Sequence, residues 1–203
     1  MTSVNADERL IESIGGSPIA CVITNPRRPD NPIEVANEAF SRLTGYPESE
    51  IVGRNCRFLA GSETEPGRTE LLRAAIREQK PVLVDLLNYR RDGTAFRNGV
   101  MITPIFNEDG EIAYFFGSQV DLGDQQPDLF SVRRARAVAA VEALPRRQRE
   151  VLQLVASGLL NKQIAHRLSI AEKTVKMHRA LMLERLGVTT TAEAIRIAVE
   201  AGF

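Results

Sequence analysis

The segment GRNCRFLAG (53–61) sets one cysteine, Cys56, between an amide, Asn55, and a cation, Arg57. The chain has two cysteines in all, and the other, Cys21, sits in the apolar run IACVIT, where a small buried filler suffices. A thiol beside a cation near a helix start is set up for a lowered pKa, as in a redox sensor or a nucleophile. Its polar neighbours also suit a binding site. Three primary amides, Asn88, Asn98 and Gln119, fall on three successive predicted strands. With hairpins centred near Gly93 and between Glu108 and Asp109, Asn88 is expected across from Asn98, and Asn98 across from Gln119, all on one face. Carboxamides both donate and accept, which matches the alternating carbonyl and N–H edge of a flat heterocycle. Arg57 and Arg73 are suited to hold a phosphate at its other end.

The elements that position these groups are legible. Asp92-Gly93 separates PVLVDLLNYR from TAFRNGVMITPIF, and NEDG (107–110) separates that from EIAYFFGSQVD, a three-strand antiparallel meander. Short strands are expected around 19–24 and 33–36, and helices in NEAFSRLTGY (37–46) and EPGRTELLRAAIREQKP (65–81). The second of these places Leu71, Leu72, Ala75 and Ile76 on one face. If the amides point inward, Leu83, Leu87, Met101, Ile105, Ile112, Tyr114, Phe116 and Val120 point outward, a face too apolar to be left in water.

QQPDLF (125–130) reads as a linker and SVRRARAVAAVEAL (131–144) as a basic helix, followed by helical segments with no strand signal. Pro145 starts one helix and Ser157-Gly158 ends it. A short helix over about 161–168, a tight turn and a longer helix over about 172–186 make a helix-turn-helix. On the longer helix Val175, Met182 and Leu186 form the core stripe, while Lys173, Lys176, Met177 and Ala180 project from the other side toward a major groove. Ser169 with Glu172 is expected to form the capping box in place of a cap at Ala171. In the last helix, TAEAIRIAVEA, Ala192, Ile195 and Val199 line one side and Ala194, Ile197, Ala198 and Ala201 another. One side completes the helix-turn-helix core, and the other needs a partner.

The totals narrow the class. Of 203 residues, 43% are hydrophobic, and no apolar run is long enough for a membrane span. The acidic opening MTSVNADERL is unlike a signal peptide, and two cysteines make no disulfide framework, so a cytoplasmic protein with no membrane partner is expected. A net charge of zero conceals an asymmetry: residues 1–123 carry 13 basic against 18 acidic side chains, and 124–203 carry 13 against 8. The C-terminal excess of five positive charges suits a polyanion. His166 and His178 lack further partners at ligand spacing, so no metal is expected.

Residues 144–203 resemble the LuxR-type (GerE) DNA-binding domain, an all-α four-helix unit, through REVL (149–152), NKQIAHRL (161–168), TVKMH (174–178) and ERLGV (184–188). The resemblance implies double-stranded DNA as partner, with Lys176, Met177 and Ala180 facing bases and Lys162, Thr174, His178 and Arg179 near the backbone. Residues 10–122 resemble a light-oxygen-voltage (LOV) domain, a flavin-binding member of the PAS superfamily with an α+β fold in which an antiparallel sheet and helices enclose the flavin. GRNCRFLAG matches its signature. The resemblance implies that Cys56 forms a reversible photochemical thioether to flavin C4a, that Asn55, Asn88, Asn98 and Gln119 meet the flavin edge, and that Arg57 and Arg73 meet the phosphate of FMN. Ala60 stands where the common motif has Gln, which leaves FAD and riboflavin as alternatives. Gln119 is placed to rotate its amide when flavin N5 is protonated.

The resulting expectation is a blue-light-regulated transcription regulator, not an enzyme, with 123–143 as a linker carrying a helix. In the dark monomer the sheet, through Met101, Tyr114 and Phe116, covers the Ala194, Ile197 and Ala201 side of the last helix. In light that helix is freed to form a homodimer. The alternative is a redox- or ligand-sensing PAS-type regulator that uses Cys56 oxidation. A flavin enzyme, the third class, lacks visible catalytic groups.

Overall fold

The computed structural model describes residues 14–123 and 128–203. Five strands, β1 (Ala20–Thr24), β2 (Ile33–Ala36), β3 (Val82–Tyr89), β4 (Ala95–Phe106) and β5 (Ile112–Asp121), form one sheet in the order β2-β1-β5-β4-β3. Every pairing is antiparallel, and β3, β4 and β5 form the expected meander. Helices α1 (Glu38–Thr44) and α2 (Glu48–Ile51), a 3-10 turn (Cys56–Leu59) and α3 (Pro66–Glu78) are inserted between β2 and β3. After β5 come α4 (Asp128–Glu142), α5 (Arg146–Ala156), α6 (Asn161–Leu168), α7 (Glu172–Leu186) and α8 (Thr191–Ala201). Residues 125–127 of the expected linker, and 10–13 at the expected start of the sensor domain, lie outside the described residues. Residues 128–130 of that linker are already helical.

The register differs from the sequence expectation by two residues in each hairpin. Asn88 pairs with Phe96, and Asn98 with Leu86 on one side and Asp121 on the other. The cause is loop length. Arg90 N donates to Thr94 O, so the first turn holds three residues centred on Asp92, with Gly93 at φ 84° supplying the left-handed backbone that such a loop requires. In the second, Asn107 N donates to Glu111 O, and a bulge at Ile105/Phe106 moves the strands further. A shift of two leaves every side chain on its original face, so the inward and outward sets survive and the amides meet diagonally.

Other local expectations change for equally local reasons. Leu71 is 51% exposed, because it stands about 100° around α3 from the half-buried stripe of Leu72 and Ile76. Ser169 ends α6 in a left-handed conformation (φ 54°) instead of capping α7, whose N-cap is Ala171 with no side-chain hydrogen bond. Thr190 and Glu193 do form a capping box, at the start of α8.

The C-terminal helices share two apolar clusters. One joins Val151, Val155, Ile164, Val175, Ala192, Ile195 and Val199 to Met101 and Phe116 on the outer face of the sheet. The other joins Val141 and Leu144 to Leu152, Met182, Ala194 and Ala198, with Ile197 and Ala201 packed against it. The two sides of α8 thus divide differently from the expectation. Ala192, Ile195 and Val199 pack against both the helix-turn-helix residues Val151, Ile164 and Val175 and the sheet, whereas Ala194, Ile197 and Ala201, expected to meet the sheet, pack with α4, Leu152 and Met182 instead. The reason is α4, which packs along α8 and supplies a partner that a reading of α8 alone did not provide.

Candidate functional site

The inner face of the sheet, α3 and the 3-10 turn enclose a cavity with about 980 Å³ free of protein atoms, its open mouth included. Its walls are mainly apolar, with Val22, Val100, Ile102 and Phe115 on the sheet and Leu72 and Ile76 on α3. Asn88 and Gln119 line it, and Asn98, fully buried between them, donates through Nδ2 to Asn88 Oδ1 at 2.9 Å and to Gln119 Oε1 at 2.8 Å. The three amides are thus one hydrogen-bonded row. Asn98 Oδ1 is buried and has no partner, and neither has Asn31 Oδ1, which belongs to another residue of the cavity wall. Two orphaned acceptors cost about 1–3 kcal/mol each unless a donor meets them. The residues fit a flat heterocycle with polar edges.

Asn31 was not singled out from the sequence. The available signal was the Asp30-Asn31 pair, whose positive φ values (70° and 47°) suit Asp and Asn. Asn55 secures that loop: its Nδ2 donates to Asp30 O at 2.6 Å and Asn31 O at 3.3 Å, and its Oδ1 accepts from Arg57 N at 3.0 Å, capping the 3-10 turn. Arg57 and Arg73 both line the cavity, but their side chains are largely exposed. Arg57 Nη1 bonds Asp30 Oδ1 at 2.5 Å, and Arg73 stands 3.7 Å from Glu70.

Cys56 opens the 3-10 turn and lines the same cavity. Burial pushes its thiol up to about 12, although the residue as a whole is half-buried. The lowered pKa considered from the sequence does not occur, because burial dominates, and the Arg57 guanidinium is paired with Asp30. Cys21, likewise raised to about 12 by burial, belongs to the cluster on the other face of the sheet.

Lys173, Lys176, Met177 and Ala180 are exposed along one side of α7, and Lys176 Nζ lies 3.2 Å from Glu172 Oε1. Thr174 and His178 beside them are half-buried. Arg179 is placed differently from the backbone-contacting role expected of it: it donates to Asn161 Oδ1 at 2.7 Å and Thr191 Oγ1 at 2.9 Å, tying α7 to the first residues of α6 and α8. Burial lowers its pKa. Lys162, on α6, is exposed but pairs with Glu108 of the β4–β5 hairpin at 2.7 Å.

Where the sheet meets α8, Met101 and Phe116 are fully buried, and Tyr114 packs at the margin of the same cluster with the Arg27 guanidinium 5.1 Å from its ring. At the centre is a residue that sequence reasoning missed. Arg196, 3% exposed, donates to Ser118 Oγ at 3.0 Å, to Gly99 O at 3.3 Å and to Glu200 Oε1 at 2.8 Å. Ser118 and Gly99 are the chain neighbours of Gln119 and Asn98, so the arginine grips the sheet directly behind the amide row.

Residues 18–124 match the model of the PAS domain, and residues 142–198 that of the bacterial regulatory proteins, luxR family. Blue-light-activated histidine kinase 1 of Erythrobacter litoralis (strain HTCC2594) is 42% identical over 137 residues, covering 68% of this chain and 38% of the kinase. The chain thus spans well under half the length of that curated relative. The solved LOV domain of the Erythrobacter litoralis EL346 blue-light-activated histidine kinase superposes with a TM-score of 0.52 at 42% identity, covering 53% of this chain and 99% of that one. The light-state dimer of the fungal blue-light photoreceptor Vivid does so with a TM-score of 0.50 at 31% identity, covering 52% and 78%. No described helix is long and apolar enough to cross a membrane. With more than half of its residues matched by that model, the chain belongs to the PAS domain family, in a LOV-like fold joined to a C-terminal helix-turn-helix domain of the luxR family of regulatory proteins.

Proposed function

We propose that this chain is a blue-light-regulated, DNA-binding transcription regulator that holds FMN, is monomeric in the dark and dimerises when lit. One observation carries the reading: a single sheet has a cavity with Cys56 and three linked amides on one face and the luxR-type domain packed on the other. The likeness to blue-light-activated kinases and LOV domains supports a flavin in that cavity. When bound, the flavin supplies blue-light absorption and an electrophilic ring carbon. Cys56 enters the site as a neutral thiol. It would supply both the sulfur and the proton of a reversible addition to the bound flavin, a balanced step that needs no outside oxidant.

Gln119, which lines the cavity, would answer a proton gained by the flavin by rotating its amide. Rotation replaces the oxygen that accepts from Asn98 Nδ2 with an NH2 group, and two donors then face each other across 2.8 Å. Strand β5 or Asn98 must shift, and Ser118, next in the chain, carries the Arg196 contact. Loosening there frees the Ala192, Ile195 and Val199 side of α8 for a second copy, and two linked helix-turn-helix domains then engage two half-sites. Among the described residues the cavity lining offers amides, a thiol and two arginines but no carboxylate or imidazole, which supports sensing over turnover. Oxidation-based sensing is disfavoured by the raised thiol pKa.

The test is absorption spectroscopy on the purified chain, which should be yellow, bleach in blue light and recover in darkness without reductant. Cys56→Ser should retain flavin and lose both reversible bleaching and light-dependent DNA binding. A Cys56→Ser protein that bleaches and recovers like the parent would overturn the assigned photochemistry.

A further inference from the structure

The β4–β5 hairpin meets the helix-turn-helix domain at a second place, separate from the α8 seam. Asn107 Oδ1 accepts from Asp109 N at 3.0 Å and Glu111 N at 2.9 Å, which fixes the turn. Asn107 O accepts from Gln163 Nε2 at 2.8 Å, and Gln163 Oε1 in turn accepts from Leu160 N at 2.8 Å at the start of α6. Phe106 N donates to Gly158 O at 3.3 Å. A Cβ on Gly158 would fall 2.0 Å from Pro104 O, so the turn between α5 and α6 approaches β4 backbone to backbone, as only glycine allows.

This docking brings Glu108 Oε2 to 2.7 Å from Lys162 Nζ. Both side chains are exposed, and a lone surface pair of this kind is weak. Here the carboxylate is instead delivered by a turn that is fixed internally and anchored to α6 by a hydrogen bond. A carboxylate presents a cation with the same anionic oxygen, at the same spacing, as a nucleic-acid phosphate. Asp109 and Glu111 extend the acidic surface beyond it.

We infer that the Asn107–Glu111 hairpin stands in for a DNA phosphate, occupying Lys162 with the Glu108 carboxylate and excluding the duplex from α6 while the domains are docked. The inference rests on the reading of Lys162 as a DNA-backbone contact. It adds a block on DNA that acts within one copy of the chain, independently of whether α8 is free to dimerise.

The experiment measures binding of the full-length, flavin-loaded chain to a random-sequence duplex of about 20 base pairs, by fluorescence anisotropy across salt concentrations, because phosphate contacts are sequence-independent. In darkness Glu108→Gln should bind about two- to fivefold tighter than the parent, with a salt slope steeper by about one, while remaining monomeric. In a Lys162→Gln background the same change should give no gain. An equal gain in that background would mean a general charge effect and would overturn the inference, as would a gain accompanied by dark dimerisation. The lit state separates the two layers. If Lys162→Gln leaves lit binding unchanged, the reading of Lys162 fails. If it weakens lit binding while Glu108→Gln gives no dark gain, only the hairpin's role fails.

Discussion

On the inner face of the sheet, Asn98 Oδ1 and, in the facing wall, Asn31 Oδ1 are buried acceptors with no donor. One residue along the same strands, on the outer face, Met101 and Phe116 are buried in protein and the Arg196 guanidinium has three partners, although the Thr103 hydroxyl there is also unpaired. In the proposed reading a flavin completes the inner face, whereas α8 and the helices around it already cover the outer one. Because the pleat puts Asn98 and Gly99, or Ser118 and Gln119, on opposite faces, the two surfaces are separated by a single residue of chain. No long relay is needed for one to affect the other.

The largest test of this contrast places a charge on the outer face alone. Met101→Glu puts a carboxylate where the parent residue is fully buried, at a cost of several kcal/mol while the seam stays shut. The expected outcome is a chain with a normal flavin spectrum whose α8 amides exchange rapidly in darkness and whose DNA affinity no longer responds to light. Hydrogen exchange of residues 192–199 with and without illumination checks it, and retained light dependence would show that the seam does not gate DNA binding. The converse change acts on the inner face. Asn98→Ala removes the donor to both Asn88 and Gln119, a loss of about 1–3 kcal/mol. Flavin content on purification and the thermal midpoint should fall, while dark protection of α8 should persist.

The smallest effect concerns the edge of the sheet. Burial alone would raise the Glu65 carboxyl, but Leu87 N and the Arg97 guanidinium hold it down to about 2, against an ordinary 4.5. A depressed carboxylate contributes stability that is present above about pH 4.5 and is lost as pH falls toward 2. Glu65 is partly exposed, so solvent screening limits this to about 1 kcal/mol or less. Glu65→Gln should therefore flatten the acid limb of a thermal-stability profile between those pH values and leave both faces intact. An unchanged acid limb would remove Glu65 from the edge.

Much of this was legible in the sequence because it depends on periodicity. Strand alternation assigned Asn88, Asn98 and Gln119 to one face and Met101 and Phe116 to the other, and a two-residue slip in register could not disturb that parity. Pairing itself was misplaced, since it depends on how many residues each turn contains. In α8, small apolar residues lie on both sides, and sequence alone could not rank α4 against the sheet as a neighbour. Arg196 was illegible for a deeper reason. An arginine in an amphipathic helix reads as solvated, and besides Glu200, one helical turn away, it is the carbonyl of Gly99 and the hydroxyl of Ser118, far away in the sequence, that make its burial tolerable.

That arginine also bears on reversibility. A hydrocarbon side chain in its place would close the seam more firmly, because a buried ion gives up its hydration when the domains meet and recovers it when they part. Water therefore favours the open form at the one point where the apolar surfaces around it favour the closed one. In the proposed switch the open and closed forms would be held closer in free energy than an all-apolar joint would hold them, and each step of about 1.4 kcal/mol by which that gap narrows makes opening tenfold easier. A joint of this kind can be tipped by a rearrangement as small as one amide turning over, and it can close again when the amide turns back.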